Sequence, residues 1–355
     1  MLSIVSSGFN MPTTFGKSEE YNKSDIVQSN ISKNIQGVER QVIAQAMEGL
    51  EIEDQENVIY VAGDGTVYAN KPELKNEVEK FKKISENVFE DSQGNRYALP
   101  AQTERPTTSP FTVATSTYTQ EDETDIGVKL AAPYPTLSGG TGPYRRVFSK
   151  PSYSWSSAYV YLPGGTNIKD SNGPGQNGDA GFVYLGGWGR SGSAVDAGFI
   201  HGSTYSDWAP MIQINGNALG QTVRLAEAQN VYLKFLVPAN DKIAMAFSGI
   251  QKSTGTQISR TYIYDVSGFS VSGGNIMKRM TTIGQSVENF KTGSYIKNVH
   301  WYNTNIGLSD SSYHPWTSVD QATDSYSGYH SYPDSTKVTV NFVNAGEETD
   351  SIVLQ

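Results

Sequence analysis

Cysteine is absent from the 355 residues. That excludes disulfides, thiolate metal sites, iron–sulfur clusters and cysteine nucleophiles together. Histidine is scarce at 4. His201, His300, His314 and His330 include no HxH or HxxxH pair that would seat zinc, so no metal site is expected from them. A basic excess is lacking, since the formal charge is −9. The footprint of a nucleic-acid binder is therefore missing. No apolar run approaches the roughly 20 residues of a membrane-spanning helix. The opening MLSIVSSGFN has neither a basic start nor a long apolar stretch, so no signal peptide is visible in it. No Gly-x-Ser-x-Gly elbow occurs; Arg190-Ser191-Gly192-Ser193 lies in a glycine-rich loop. Gly186-Gly187-Trp188-Gly189 joins two strand-like runs and so lacks the helix N-terminus that would hold phosphate. No cofactor is expected.

What the chain does have is a change of character along its length. Residues 1–100 hold 16 of the 36 acidic residues but only 7 of the 35 glycines and none of the 5 tryptophans. The shift falls at LPAQTERPTTSP, and residues 101–110 read as a stiff Pro/Thr linker. The region before it (1–100) reads as α+β, a pro-segment or docking domain. Ser24 or Asp25 starts a helix predicted to reach Gly49, with Ile26, Val27, Ile31, Ile35, Val38 and Val42 at spacings of 3 and 4. A second helix is expected from Glu73 to Ser85, started by Pro72. Gly63-Asp64-Gly65 and Gln93-Gly94 mark two hairpins.

Residues 111–355 read as a β-sandwich. Short runs rich in Val, Ile, Tyr, Phe and Thr recur at 157–162, 180–185, 195–200, 209–214, 231–237, 242–248, 261–266, 276–283, 299–303 and 337–343. Turn residues separate them and helical period is scarce, as in a jelly roll of two antiparallel sheets. The run Glu121–Asp125 could hold calcium, the loop Asp170–Asp179 lacks the EF-hand pattern, and solvated turns are the simpler reading of both. Aromatic residues are the more telling feature. Sugars stack their C–H faces on aromatic rings while Asp, Asn and Gln bond the hydroxyls, and a concave sheet rich in both suits that chemistry. Aromatics also fill sandwich cores.

The stretch from Gly181 to Ile214, followed by Val237–Gly249, resembles the core of the glutamic peptidase (eqolisin-like) sandwich family. There, a strand with Trp-Val-Gly-x-Asp-Gly leads to one with Gln-x-Gly. The matching pieces here are Ala180–Gly189, Val195–Ile200, Asp207–Ile214 and Asn240–Ser248. The resemblance implies a concanavalin-like jelly-roll sandwich. It places the family's catalytic Gln at Asp196 and its Glu near Lys278 or Arg279, so the Gln–Glu pair that activates water is not kept. An ion pair between Asp196 and Arg279 is expected instead. Val195–Phe199, Trp208 and Lys278–Ile283 also resemble the YrpD-like secreted proteins of Gram-positive bacilli.

The expectation is a mainly β, secreted or surface-exposed bacterial protein with a non-catalytic binding role. Its partner is expected to be a glycan or another cell-surface ligand, with no nucleic acid. The candidate contacts are Trp155, Tyr184, Trp188, Asp196, His201, Trp208, Arg279 and Trp301. One alternative is a carboxylate-dependent hydrolase, peptidase or glycosidase, which needs a second acid near Asp196, with Asp207 and Glu227 as candidates. Another is a self-assembling structural or toxin-like protein.

Overall fold

The computed structural model describes residues 23–102, 142–170, 178–202, 206–320, 329–332 and 336–355. The chain forms the expected β-sandwich with a smaller α+β N-terminal part. Among the described residues the larger sheet has eleven strands. Its main order is Val67–Ala69, Val58–Val61, Gln257–Asp265, Lys242–Ile250, Gln229–Leu236, Trp155–Leu162, Tyr295–Ser309, Glu347–Val353 and Val338–Asn344. The smaller sheet runs Tyr329–Tyr332, Tyr144–Phe148, Ile276–Gly284, Ala180–Trp188, Ala194–Gly202, Ala209–Ile214, Asn217–Gln221 and Val78–Lys80.

Side chains alternate across each strand, and that alternation builds the core. Ala158, Val160 and Leu162 meet Val231, Leu233 and Phe235 on the inner face of the larger sheet. Val183, Leu185, Val195, Ala197 and Phe199 face them from the smaller sheet. The intervening residues face outward on both sheets.

The N-terminal region is woven into both sheets. Val58–Val61 runs parallel to Gln257–Asp265, with Val58 opposite Thr261 and Val61 opposite Tyr264. Val78–Lys80 closes the edge of the smaller sheet against Asn217–Gln221. A three-stranded sheet, Lys82–Lys83, Val88–Glu90 and Arg96–Ala98, follows it. Phe81, Phe89, Tyr97 and Leu99 pack on Phe182, Tyr184, Ile200, Met211 and Met280 of the smaller sheet's outer face. The sandwich leaves room for this cover. A Cβ on Gly202 would sit 2.4 Å from the Tyr97 ring, and one on Gly284 would sit 2.1 Å from the Ala98 carbonyl oxygen.

Two elements differ from expectation. The long first helix is two, Lys23–Ser29 and Gly37–Met47. Buried Asn70 takes up the break, its Nδ2 donating to the carbonyls of Asn30, Gln55 and Glu56. The helix expected at 73–85 is only a 3-10 turn, Pro72–Glu77, because Val78–Lys80 finds an open sheet edge. Tertiary pairing outweighs local propensity there. The linker at 103–110, the acidic run at 121–125 and residues 171–177 lie outside the described residues.

Candidate functional site

The eight candidate residues do not share one face. Tyr184, Trp188 and Asp196 come together on the outer face of the smaller sheet. Asp196 and Lys278 both lie opposite Gly186, one on each neighbouring strand. A Cβ on Gly186 would meet the Val195 carbonyl oxygen at 2.1 Å, so this position requires glycine. Across it, Lys278 Nζ pairs with Asp196 Oδ1 at 2.5 Å. The ammonium also lies 4.2 Å from the Trp188 ring centroid. Burial lowers the Lys278 pKa, against the opposing charge of Asp196. The site is closed from above, where Gln102 Nε2 donates to Asp196 Oδ2 at 3.1 Å and to the Gln213 carbonyl at 2.9 Å.

The expected Asp196–Arg279 pair is therefore replaced by Asp196–Lys278. Arg279 is one residue further along the strand and points inward by the two-residue period. It meets Glu348 at 3.3 Å between the sheets, where Arg145 also binds Glu348 through two bonds of 3.1 and 2.7 Å. Trp301 is core, its Nε1 donating to Thr281 Oγ1 at 3.0 Å. Trp208 is core too, donating to the Pro163 carbonyl at 2.9 Å. His201 lies beside it, Nδ1 2.5 Å from Asp170 and Nε2 2.8 Å from Glu227. Burial opposes protonation of His201, but its bonds and charge contacts with Asp170 and then Glu227 outweigh this and raise its pKa. Neither acid suggested as a partner for Asp196 reaches it: Asp207 pairs with Lys252 at 3.1 Å and Glu227 with His201.

Of the eight, Trp155 alone lines a groove left open by the described residues. It lies on the floor of this groove, of about 660 Å³, on the outer face of the larger sheet. Tyr232, Tyr159 and Tyr302 face one another across three adjacent strands. Tyr159 is the central ring, 5.2 Å from Tyr232 and 5.4 Å from Tyr302, and is 41% exposed. His300 extends the row, stacked 5.0 Å from Tyr302. Nearby, Trp155 stacks on Tyr313 at 4.8 Å.

A β-bulge shapes the polar side of the groove. Between Tyr302 and Asn305 the strand carries one residue more than its neighbour, and Asn303 takes a φ of 48°. Such a bulge re-aims side chains. It brings Asn303, Thr304 and Asn305 to the groove, opposite Ser157 and Asn344. Thr304 also fixes the walls: its N–H donates to the Gly346 carbonyl at 3.2 Å and its carbonyl accepts from Trp316 N–H at 2.8 Å. Asp320 secures the wall segment from Tyr313 to Trp316, accepting from Tyr153, from His314 at 3.0 Å and from Thr317. Burial would raise the Asp320 pKa, but these bonds outweigh it and bring it to about 2.

Beneath one wall lies a buried charge cluster. Lys234 Nζ donates to Asp54 Oδ2 at 2.7 Å and to Asp310 Oδ1 at 2.6 Å. Burial raises the Asp54 pKa to about 6 although Lys234 opposes the rise. Asp54 belongs to the 3-10 turn Ile52–Gln55, so the N-terminal region supplies part of this wall as well. Sequence reading missed the tyrosine row. The signal was present as Trp155-x-Ser157-x-Tyr159, large or polar residues alternating with Ala158 and Val160 on a strand.

Among the described residues, no cluster of three His, Asp or Glu is placed to hold a metal ion. Nor is any helix long and apolar enough to cross a membrane. The chain matches no protein-family model and no curated protein. Among solved structures it is similar to scytalidoglutamic peptidase bound to a peptide-based transition-state analogue, at 10% identity and TM-score 0.40. That match covers 61% of this chain and 100% of the peptidase. It is likewise similar to SCP-B, an eqolisin peptidase in complex with Ala-Ile-His, at 11% identity and TM-score 0.38, over 61% and 100% of the two chains. A SAP-like pentraxin from Limulus polyphemus aligns at 8% identity and TM-score 0.22, over 43% of this chain and 71% of that one.

Proposed function

We propose that the chain is a non-catalytic glycan-binding protein that meets its ligand outside the cell. The observation that carries this reading is the row Tyr232–Tyr159–Tyr302, whose central ring Tyr159 is exposed and, with Tyr232, lines a groove edged by Asn303, Asn305 and Asn344. Rings of this kind stack on the C–H faces of sugars, and the amides beside them bond hydroxyls. The contact set thus moves from the residues expected in sequence to the tyrosine row, with Trp155 in common. Secretion goes with this reading, as does the likeness to YrpD-like secreted proteins at 195–199 and 278–283.

The test is a glycan array followed by tryptophan-fluorescence titration of the full chain, since Trp155 and Trp316 line the groove. A saturable change with one sugar class is expected. Tyr159→Ala/Tyr302→Ala should remove it while leaving the thermal melt in place. No response to any glycan from the folded chain overturns the reading.

A further inference from the structure

The groove has a charge character that narrows its ligand. Glu53, Asp310 and Glu347 line it, with Asp54 directly behind. Against these four carboxylates stands Lys234, 1% exposed, bonded to Asp54 and Asp310 and 3.9 Å from Glu53. His300 touches Glu347 at 3.2 Å. The carboxylates that a ligand can reach are the exposed ones, Glu53, 72% exposed and only loosely paired with Lys234, and Glu347, 40% exposed. They flank an aromatic row whose ring faces also attract cations.

We infer that this groove selects glycans bearing free amino groups, such as glucosamine units, over neutral and acidic glycans. The inference rests on the glycan-binding reading of the same groove. The sugar ring stacks on Tyr159 and Tyr302, and its ammonium faces Glu53 or Glu347. A uronate or sialate would bring a carboxylate into an already anionic groove, so acidic glycans are excluded.

The test compares three hexamers on the full chain by calorimetry: β-1,4-linked glucosamine, its fully N-acetylated form and oligogalacturonate. The glucosamine hexamer should bind about tenfold tighter than the acetylated one, and its affinity should fall with added salt. Oligogalacturonate should not bind. Because the whole chain carries −9, groove variants separate site binding from general attraction. Glu53→Gln/Glu347→Gln should bring the two glucosamine forms to parity. Tyr159→Ala/Tyr302→Ala should abolish both.

Equal affinity of the wild-type chain for amino and acetylated hexamers overturns the charge inference while the groove reading stands. Binding of neither hexamer, with no other glycan bound, overturns both. Glucosamine binding that survives the tyrosine variant is surface attraction and overturns the inference. Stronger, tyrosine-dependent binding of oligolysine assigns the groove to basic peptides and also overturns it.

Discussion

Replacing Lys234 with methionine tests how the groove wall is held. The Lys234 ammonium is almost fully buried, bonds Asp54 and Asp310 at 2.7 and 2.6 Å, and lies about 6 Å from the ring centroids of Trp155 and Tyr232. Methionine keeps most of the volume and the ring contacts but leaves two carboxylates without their cation. Removing one partner of a buried ion pair costs about 3–5 kcal/mol, because the other charge stays desolvated. The loss should depend on pH in a definite direction. Asp54 already titrates near 6, above its ordinary 3.8, since burial outweighs Lys234. Without the lysine its pKa rises further. A carboxyl whose folded pKa exceeds its unfolded pKa weakens the fold as pH rises through the folded value. The Lys234→Met penalty should therefore be smallest near pH 5 and complete by pH 8. Urea unfolding at both pH values measures it. A triple variant, Lys234→Met/Asp54→Asn/Asp310→Asn, removes the orphaned charges and should recover most of the loss. A single variant that loses under about 1 kcal/mol at pH 8, or whose loss shrinks as pH rises, refutes this account of the wall.

Other perturbations probe the rest of the molecule. Gly186→Ala drives a methyl into the Val195 carbonyl oxygen, and thermal melting should show a loss of at least about 2 kcal/mol. Asp350 is buried beside Glu348, and burial first, then the Glu348 charge, raise its pKa to about 7 despite Arg145 and Arg279. Its carboxylate form weakens the fold as pH rises through 7, so Asp350→Asn should match wild type in urea at pH 4 and exceed it at pH 8, while still accepting from Thr281. A chain starting at residue 103 lacks the cover over Phe182, Tyr184, Met211 and Met280, and should bind a hydrophobic dye such as ANS far more strongly than the full chain. A dye-silent, cooperatively melting fragment would show that the cover is dispensable.

The sandwich was legible because strands announce themselves locally. Ala209–Ile214 has the expected boundaries, and the others differ mainly at their ends, because alternation and turn residues are encoded within a few positions. The site was less legible for two physical reasons. A two-residue period tells which residues share a face but not which face is covered. Asp196 and Lys278 face outward as a pair and Arg279 inward, yet only the fold shows Gln102 and Phe81–Leu99 lying over that face. The charge partners are also remote in sequence: Lys234 meets Asp54 180 positions away, and Arg145 meets Glu348 203 away. Local pattern carries no trace of such pairs.

The aromatics sort by what each ring needs. All five tryptophans are at most 2% exposed, and Trp208 and Trp301 spend their single N–H on a buried acceptor. Tyrosine does both jobs here: Tyr184, Tyr262 and Tyr264 are buried, while Tyr159 and Tyr313 stand in the open. A tyrosine on an outer face can keep its hydroxyl hydrated while its ring waits for a partner. One outer face of this sandwich is sealed by the N-terminal strands, with glycines placed to admit them. The other keeps three tyrosines in register across adjacent strands, beside a bulge that turns asparagines toward them. The helices Lys23–Ser29 and Gly37–Met47 cover the neighbouring part of this face, Ile43 and Met47 clustering with Trp155, Leu236 and Ile263, and among the described residues that cover stops short of the tyrosine row. An exposed ring in a shaped, polar-edged groove, uncovered by any of the described residues, is the feature on which the proposed glycan contact rests.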